Sequence, residues 1–509
     1  MLATRPRQAV ALQRRLSSNL DKLALYAELT DGGRRRDTFL LERSEGPSLL
    51  MDQAAVRAEC RGQEVTLHAV SAGGRDVLAE VRRQLPERVS AEDGDTLRLT
   101  FPRVQSDDAE TRLLAPSPLD ALRVLAGLSS ASREEPFTIT LLGISAFDQA
   151  DLFEDLPANA ENPLGFPAFV YWLAESLIVF DPGAPPRLVC TALGGSERAY
   201  NDAAERLARL FERCASPAPL PEPPAPRPVG ATDVDLDDAA YGEVVSRLRE
   251  NIAAGDIYQV VPSRTFRAPC RDPLSAYSAL RKLDPSPYCF FVSGPDHQLF
   301  GASPETSVRI FAEEGWKIVE VKPIAGTRPR GATSDEDDRL EADLRLDQKE
   351  LAEHMMLVDL ARNDVARISL PGTRRVRRLM TVERYARVMH LVSSVTGSLR
   401  IGIDALHALQ ACLNVGTLTG APKIRAMQLL RECEKTKRGP YGGAIGWING
   451  EGYMDTGVII RSAVVKEGTA FVRAGAGVVY DSDPQREADE TRRKASALLS
   501  VLAAAGDAK

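Results

Sequence analysis

The apolar positions change period repeatedly along the chain. Short alternating or continuous apolar runs in "DTFLLE", "EVTLHAV", "TLRLTF" and "FTITLLG" predict strands in the first two hundred residues. "ERAYNDAAERLARLFERC" has apolar spacing near 3.6 and predicts a helix. "FVYWLAESLIVF" (169–180) is the most apolar stretch; it carries Glu175, is too short to span a membrane, and reads as a buried strand or helix core. Further on, "YGEVVSRLRENIAAGD" places Val244, Val245, Leu248 and Ile252 on one helical face and stops at Gly255. Strands are predicted in "IYQVVPS", "YCFFVS", "TSVRIF", "WKIVEVKPI", "RVMHLVSSV", "AIGWI", "GVIIRSAVV" and "AFVRAGAGVVY", and long helices at about 336–366 and 484–505. Many strands with interspersed helices imply an α+β protein with large sheets, not a doubly wound α/β fold. No short internal repeat is visible.

One stretch breaks every period. "CASPAPLPEPPAPRPVGATD" (214–233) is proline-rich, and proline removes backbone donors and favours extended conformations. It is expected to be a linker or long surface loop between an N-terminal regulatory or structural part (1–213) and a C-terminal catalytic part (234–509).

Composition narrows the class of function. The 509 residues are 44% apolar and 27% charged, with 64 basic against 71 acidic side chains and a net charge of −7. That balance argues against nucleic acid or an anionic membrane as the main partner. The seven cysteines are scattered with no CxxC, which reads as reduced thiols and not as a disulfide framework or zinc site. The arginines of the N-terminus lead into no apolar core of signal-peptide type, so the cytoplasm is the expected location.

Several side chains suggest chemistry. Glu350 and Glu353 lie three apart on one predicted helix, and Glu487 and Glu490 repeat the spacing on another. Such pairs are common on solvated helix faces; two pairs on two helices also make a four-carboxylate oxygen set of the kind that suits magnesium. "RAGAGVVYDSDP" is not a dinucleotide fingerprint, and "GTLTGAPK" lacks the spacing and ending of a phosphate loop. Both read as tight turns, or as backbone amides approaching a ligand carboxylate. His390 sits in an apolar strand, where a histidine is either a core residue or a general acid or base. The five histidines form no HExxH, which argues against zinc proteolysis. Arg461 interrupts an apolar strand, and such an arginine needs an anion.

Together "GDIYQVVPSRTF", "FGASPET", "PIAGTRPRG", "DQKELAEHMMLVDLARND", "GTLTGAPK", "AGAGVVYDSDP" and "EADETRRKA" resemble the chorismate-utilising enzymes, and most of all the anthranilate synthase component I group. The resemblance is specific over 234–509 and weaker, through "LLER", "SLLMD" and "GFPAFVYWLAESL", before it. It implies a two-lobed sandwich of large, mostly antiparallel sheets flanked by helices. It implies Mg²⁺ held by Glu353 and Glu490, with Glu350 and Glu487 completing the shell, and substrate contacts at Gly326, Thr327, Thr417, Tyr441, Arg461, Gly475, Ala476, Gly477 and Lys494. His390 is expected to assist the departing C4 hydroxyl as general acid, with Glu305 in a supporting acid/base or positioning role. Isochorismate- and salicylate-forming relatives carry Lys where this chain has Gln259, and aminodeoxychorismate synthases carry Lys where it has Ala325. Lacking both, the chain is expected to use ammonia, add it ortho to the ring carboxylate, and release anthranilate and pyruvate. The alternatives are a 2-amino-2-deoxyisochorismate synthase that stops before pyruvate loss, and a non-catalytic regulatory paralogue.

The resemblance also implies a partner and an effector. No glutaminase is recognisable in the chain, so a separate glutamine amidotransferase subunit is expected to supply ammonia, the two forming a heterotetramer. The group binds tryptophan through "LLES" and "PSPYMFF" motifs, matched here by "LLERSEG" and "PSPYCFF". Glu42, Arg43, Pro287, Tyr288 and Cys289 would form that site. Arg43 stands where Ser is usual, Cys289 where Met is usual, and Pro47 where Lys is common. Exchanging a small hydroxyl for a long cation changes pocket volume and charge together, so tryptophan feedback is expected to be weak or absent, as suits secondary metabolism.

Overall fold

The computed structural model describes residues 8–505 apart from 18–19, 133, 160, 231 and 386–387. Large antiparallel sheets flanked by helices form the molecule, as the sequence implies. Strands from both sides of the proline-rich segment pair directly. Thr38–Arg43 lies between Ser48–Arg61 and Tyr288–Ser293, and Ala444–Asn449 pairs with Thr140–Ser145. The core between the sheets is accordingly mixed, with Phe39, Leu41 and Trp172 packed among Phe290, Ile445 and Ile459. The 169–180 stretch is a strand buried along its whole length. Residues 217–230 have no regular structure; they lie against the helices, with the Arg227 amide donating to Ser500 O and Lys282 Nζ 2.7 Å from Glu222. Among the described residues no helix is long and apolar enough to cross a membrane.

Three predicted elements differ in detail. The 336–366 helix is two helices, Ser334–Leu346 and Gln348–Ile368. Asp347 leaves helical geometry at ψ 104° and its carboxylate accepts the Lys349 and Glu350 amides, capping the second helix. The "IYQVVPS" strand shrinks to Gln259–Val260, which pairs with Gly420–Ala421, followed by a separate strand Ser263–Pro269. "GVIIRSAVV" is interrupted between Met454–Val458 and Ser462–Lys466, where Arg461 takes a left-handed φ of 48°.

Candidate functional site

The cap at Asp347 places Glu350 and Glu353 in the opening turns of the Gln348–Ile368 helix. The Pro484–Ala505 helix carries Glu487, Glu490 and Lys494 at its own start. Lys494 links the two helices, its charge coupling to Glu490 on its own and to Glu353 on the other. Lys494 Nζ lies 2.8 Å from Glu490 and donates to Gly475 O at 3.0 Å, and its charge is felt by Glu490, Glu487 and Glu305. Burial opposes the Lys494 charge, yet Glu490, Tyr441 and Glu353 hold its pKa above the usual lysine value. Glu353 accepts a 2.7 Å hydrogen bond from Gln259 Nε2.

The carboxylates are over-supplied with negative charge. Burial, then Glu353 and Asp347, raise the Glu350 pKa; burial and Glu490 raise that of Glu487. Burial also opposes the charge of Glu490, but Lys494 outweighs it and holds that carboxyl below its usual range. Among the described residues no three His, Cys, Asp or Glu side chains converge closely enough to hold a metal ion in this conformation. The donor set nevertheless fits a hard divalent cation, because a 2+ charge beside these four carboxylates would offset both the burial and the mutual repulsion that push Glu350 and Glu487 towards protonation.

The opposite wall is built by Val388–Ser398 and its partner Ile324–Pro329, which pair Thr327 with His390. His390 Nδ1 lies 3.0 Å from Gly326 O and 3.0 Å from Thr327 Oγ1. A carbonyl only accepts, so Nδ1 carries the proton and Nε2, which has no partner among the described residues, keeps its lone pair. Burial, with Arg461 and Lys494 nearby, lowers the His390 pKa to about 4. Gly326 has φ 69°, and a Cβ there would sit 3.2 Å from Glu350 Oε2. Glu305, buried after the Gln298–Ser303 strand, accepts from Thr417 Oγ1 at 2.7 Å. Burial raises its pKa to about 7, against Thr417, Lys494 and Arg461. Arg461 is half-buried and donates to Asp284 at 3.2 Å.

Gly475 and Tyr441 lie beside Lys494, Gly477 lies beside Gln259 and Glu353, and the Ala476 amide donates to Pro262 O at 3.2 Å. The Tyr441 hydroxyl would be 3.0 Å from a Cβ at Gly475, and a Cβ at Gly477 would meet Gln259 Nε2 at 2.8 Å. The sequence reading treats Gln259 as a discriminating position and misses its bond to Glu353. It also misses Gly420, whose Cβ would lie 2.1 Å from Gln259 O; the glycine of "GTLTGAPK" is the signal for that close approach.

The expected effector residues are assembled by the pairing of Thr38–Arg43 with Tyr288–Ser293, which sets Arg43 opposite Tyr288 and Glu42 opposite Cys289. Arg43 is buried. Its guanidinium stacks 3.5 Å over the Tyr288 ring, donates to Asp455 at 2.8 Å and reaches Glu45 O. Glu42 accepts from Tyr277 at 2.8 Å and pairs with Arg281 at 2.9 Å.

Residues 83–500 match the family model described as chorismate binding enzyme, and the chain belongs to that family. Within it, the chain is similar to proteins named anthranilate synthase component 1. That of Vibrio cholerae is 45% identical over 498 residues, covering 95% of this chain and 94% of the relative. A pyocyanine-specific one of Pseudomonas aeruginosa is 48% identical over 473 residues, covering 90% and 87%. The solved anthranilate synthase component I from Streptococcus pneumoniae superposes with a TM-score of 0.73 at 31% identity, covering 90% of this chain and 93% of that one. The menaquinone-specific isochorismate synthase from Escherichia coli shares the fold, with a TM-score of 0.68 at 19% identity over 98% and 97% of the two chains.

Proposed function

We propose that the chain converts chorismate and ammonia to anthranilate and pyruvate, as an Mg²⁺-dependent lyase acting in the cytoplasm. Similarity over nearly the whole length to anthranilate synthase components carries this reading. The charge of Lys494, felt by Glu353, Glu487, Glu490, Glu305 and His390, supports it. A separate glutamine amidotransferase subunit supplies the ammonia, the two together forming a heterotetramer.

Glu350, Glu353, Glu487 and Glu490 would hold the Mg²⁺, which when bound supplies positive charge for the ring carboxylate of chorismate. Lys494 and Arg461 contribute further positive charge to the dianionic substrate, and Gly475, Ala476 and Gly477 let backbone amides approach it. Ammonia attacks C2 as the C4 hydroxyl departs, and that hydroxyl needs a proton. Glu305, near 7, is half protonated at neutral pH and is suited to give it. The His390 tautomer favours the complementary role: Nε2 accepts the C2 proton as the enolpyruvyl C–O bond breaks, the ring becomes aromatic and pyruvate leaves. This reverses the emphasis that the sequence reading places on His390 as acid.

Tryptophan inhibition is weak or absent in this reading, because Arg43, stacked on Tyr288 and bonded to Asp455, sets a long cation in the wall of the effector site.

Incubating the purified chain with chorismate, Mg²⁺ and an ammonium salt, without glutaminase, tests the reaction through anthranilate fluorescence and mass analysis. Anthranilate and pyruvate in equal amounts are expected. An amino-deoxyisochorismate product without pyruvate, or no turnover, would overturn the reading.

A further inference from the structure

His354 follows Glu353 directly, and neighbouring residues on a helix point about 100° apart. While Glu353 is turned towards the site, His354 is fully buried beneath the sheet. Its Nε2 lies 2.6 Å from Ser393 Oγ, and Nδ1 has no partner among the described residues. Ser393, also fully buried, lies on Val388–Ser398 three residues beyond His390. The same hydroxyl oxygen accepts the Met380 amide at 2.9 Å. Met380 has φ 53° and sits in the bulge where the register of Arg375–Arg384 against Val388–Ser398 slips between Arg378 and Thr381. One hydroxyl therefore joins the carboxylate helix, the strand of His390, and the irregular strand beside it.

A second contact holds the same helix face one turn earlier, at Glu350, four residues before His354. Glu350 lies against Gly326, where no side chain would fit between them, and Gly326 O is the carbonyl that accepts from His390 Nδ1. Glu353 thus lies in the turn between two ties to the paired strands that carry His390: Glu350 against Gly326 of Ile324–Pro329, and His354 to Ser393 of Val388–Ser398. A rotation of the helix about its axis would move Glu353 from Gln259 and shift Glu350 from Gly326 in a single motion.

We infer that His354 is a positioning residue: through Ser393 it fixes the rotation of the Gln348–Ile368 helix against the Val388–Ser398 strand, and so sets the Glu350 and Glu353 carboxylates relative to His390. The inference rests on the assignment of those three residues to the reaction, and its test separates the two. Three variants are informative. His354→Leu keeps the volume and loses the polar tie. Ser393→Ala removes the same tie from the strand. His354→Gln restores an amide able to reach Ser393.

Two readouts apply. The first is the His390 imidazole NMR signal in the ligand-free protein, resolvable because the chain has five histidines. The second is kcat and the Mg²⁺ half-saturation of the ammonia-dependent reaction. In His354→Leu and Ser393→Ala the His390 signal shifts, kcat falls about tenfold or more and Mg²⁺ half-saturation rises, while the double variant is no worse than either single one, as one shared interaction requires. His354→Gln recovers most of both. Should His354→Leu fail to fold, Ser393→Ala and His354→Gln carry the test. An unmoved His390 signal in Ser393→Ala, multiplicative losses in the double variant, or a Gln variant as impaired as Leu overturns the inference. A moved signal in a chain that makes no anthranilate leaves the positioning intact and sinks the proposed reaction instead.

Discussion

At the scale of single residues, the chemistry was legible wherever the residue type itself is informative. Carboxylates three apart on two helices, a histidine in an apolar strand and an arginine breaking another all announce themselves. What stayed hidden depends on partners distant in the chain: the Nδ1 proton of His390 is fixed by Gly326 O, and the near-neutral pKa of Glu305 by its burial. These give a pH prediction. With Glu305 as acid and His390 as base, kcat per unit of free ammonia falls as pH rises through about 7 and falls again only near about 4, and Glu305→Gln loses the upper limb together with about 10²–10⁴-fold in rate. Stability carries the same signature. The folded state holds the Glu305 proton to about 7 and the unfolded chain releases it near 4.5, so this site's contribution is greatest below the lower value and is lost as pH rises through the window. The loss is up to about 3 kcal/mol, and urea melts of Glu305→Gln should lack it. Arg43 yields a third expectation. Arg43→Ser leaves Asp455 with the Tyr288 hydroxyl at 2.8 Å and Arg309 at 3.5 Å, and costs on the order of 2 kcal/mol in a thermal or urea melt. It also opens the space over Tyr288, so tryptophan should inhibit or stabilise the variant more strongly than the wild-type chain.

At the scale of elements, periodicity predicted many strands but missed Val10–Arg15 and Arg187–Ala192, and it failed at the longest bulged one. Ser48–Arg61 is fourteen residues long, yet its register against Phe169–Phe180 slips between Met51 and Gln53 and again between Ala54 and Val56. Each slip inverts which face the next residue occupies, so no alternation of period two survives in the sequence. Arg375–Arg384 escaped for the same reason, with the addition that most of its side chains are exposed. The smallest sheet matters most to the site. Gly420 lets Gln259–Val260 approach Gly420–Ala421, and Gln259 in turn holds Glu353. Gly420→Ala should push Gln259 away and cut the ammonia-dependent kcat at least tenfold. Gly255→Ala, at the end of the preceding helix where a Cβ meets nothing, bears a positive φ of its own, 85° against 132° at Gly420, without the collision and should retain activity. Steady-state rates of the two variants compare collision with strain directly.

At the scale of the whole molecule, the resemblance in the sequence reached the sandwich but not how thoroughly its halves interlock. Proline density marks a break in secondary structure, and nothing in local composition reports that Tyr288–Ser293 crosses back to Thr38–Arg43. Because the central core mixes both halves, a fragment of residues 234–505 should not fold alone, and the full chain should show one cooperative unfolding transition in calorimetry. The interlocking also dictates an order of events at the ribosome. Thr140–Ser145 leaves the exit tunnel long before its partner Ala444–Asn449 has been synthesised. Those roughly 300 intervening residues take about 15 to 60 s to make at bacterial and eukaryotic elongation rates. For that interval a strand that the folded protein buries along its whole length has Phe169–Phe180 on one edge and no partner on the other, so newly made protein should depend on chaperones that shield such edges far more than its mature stability would suggest.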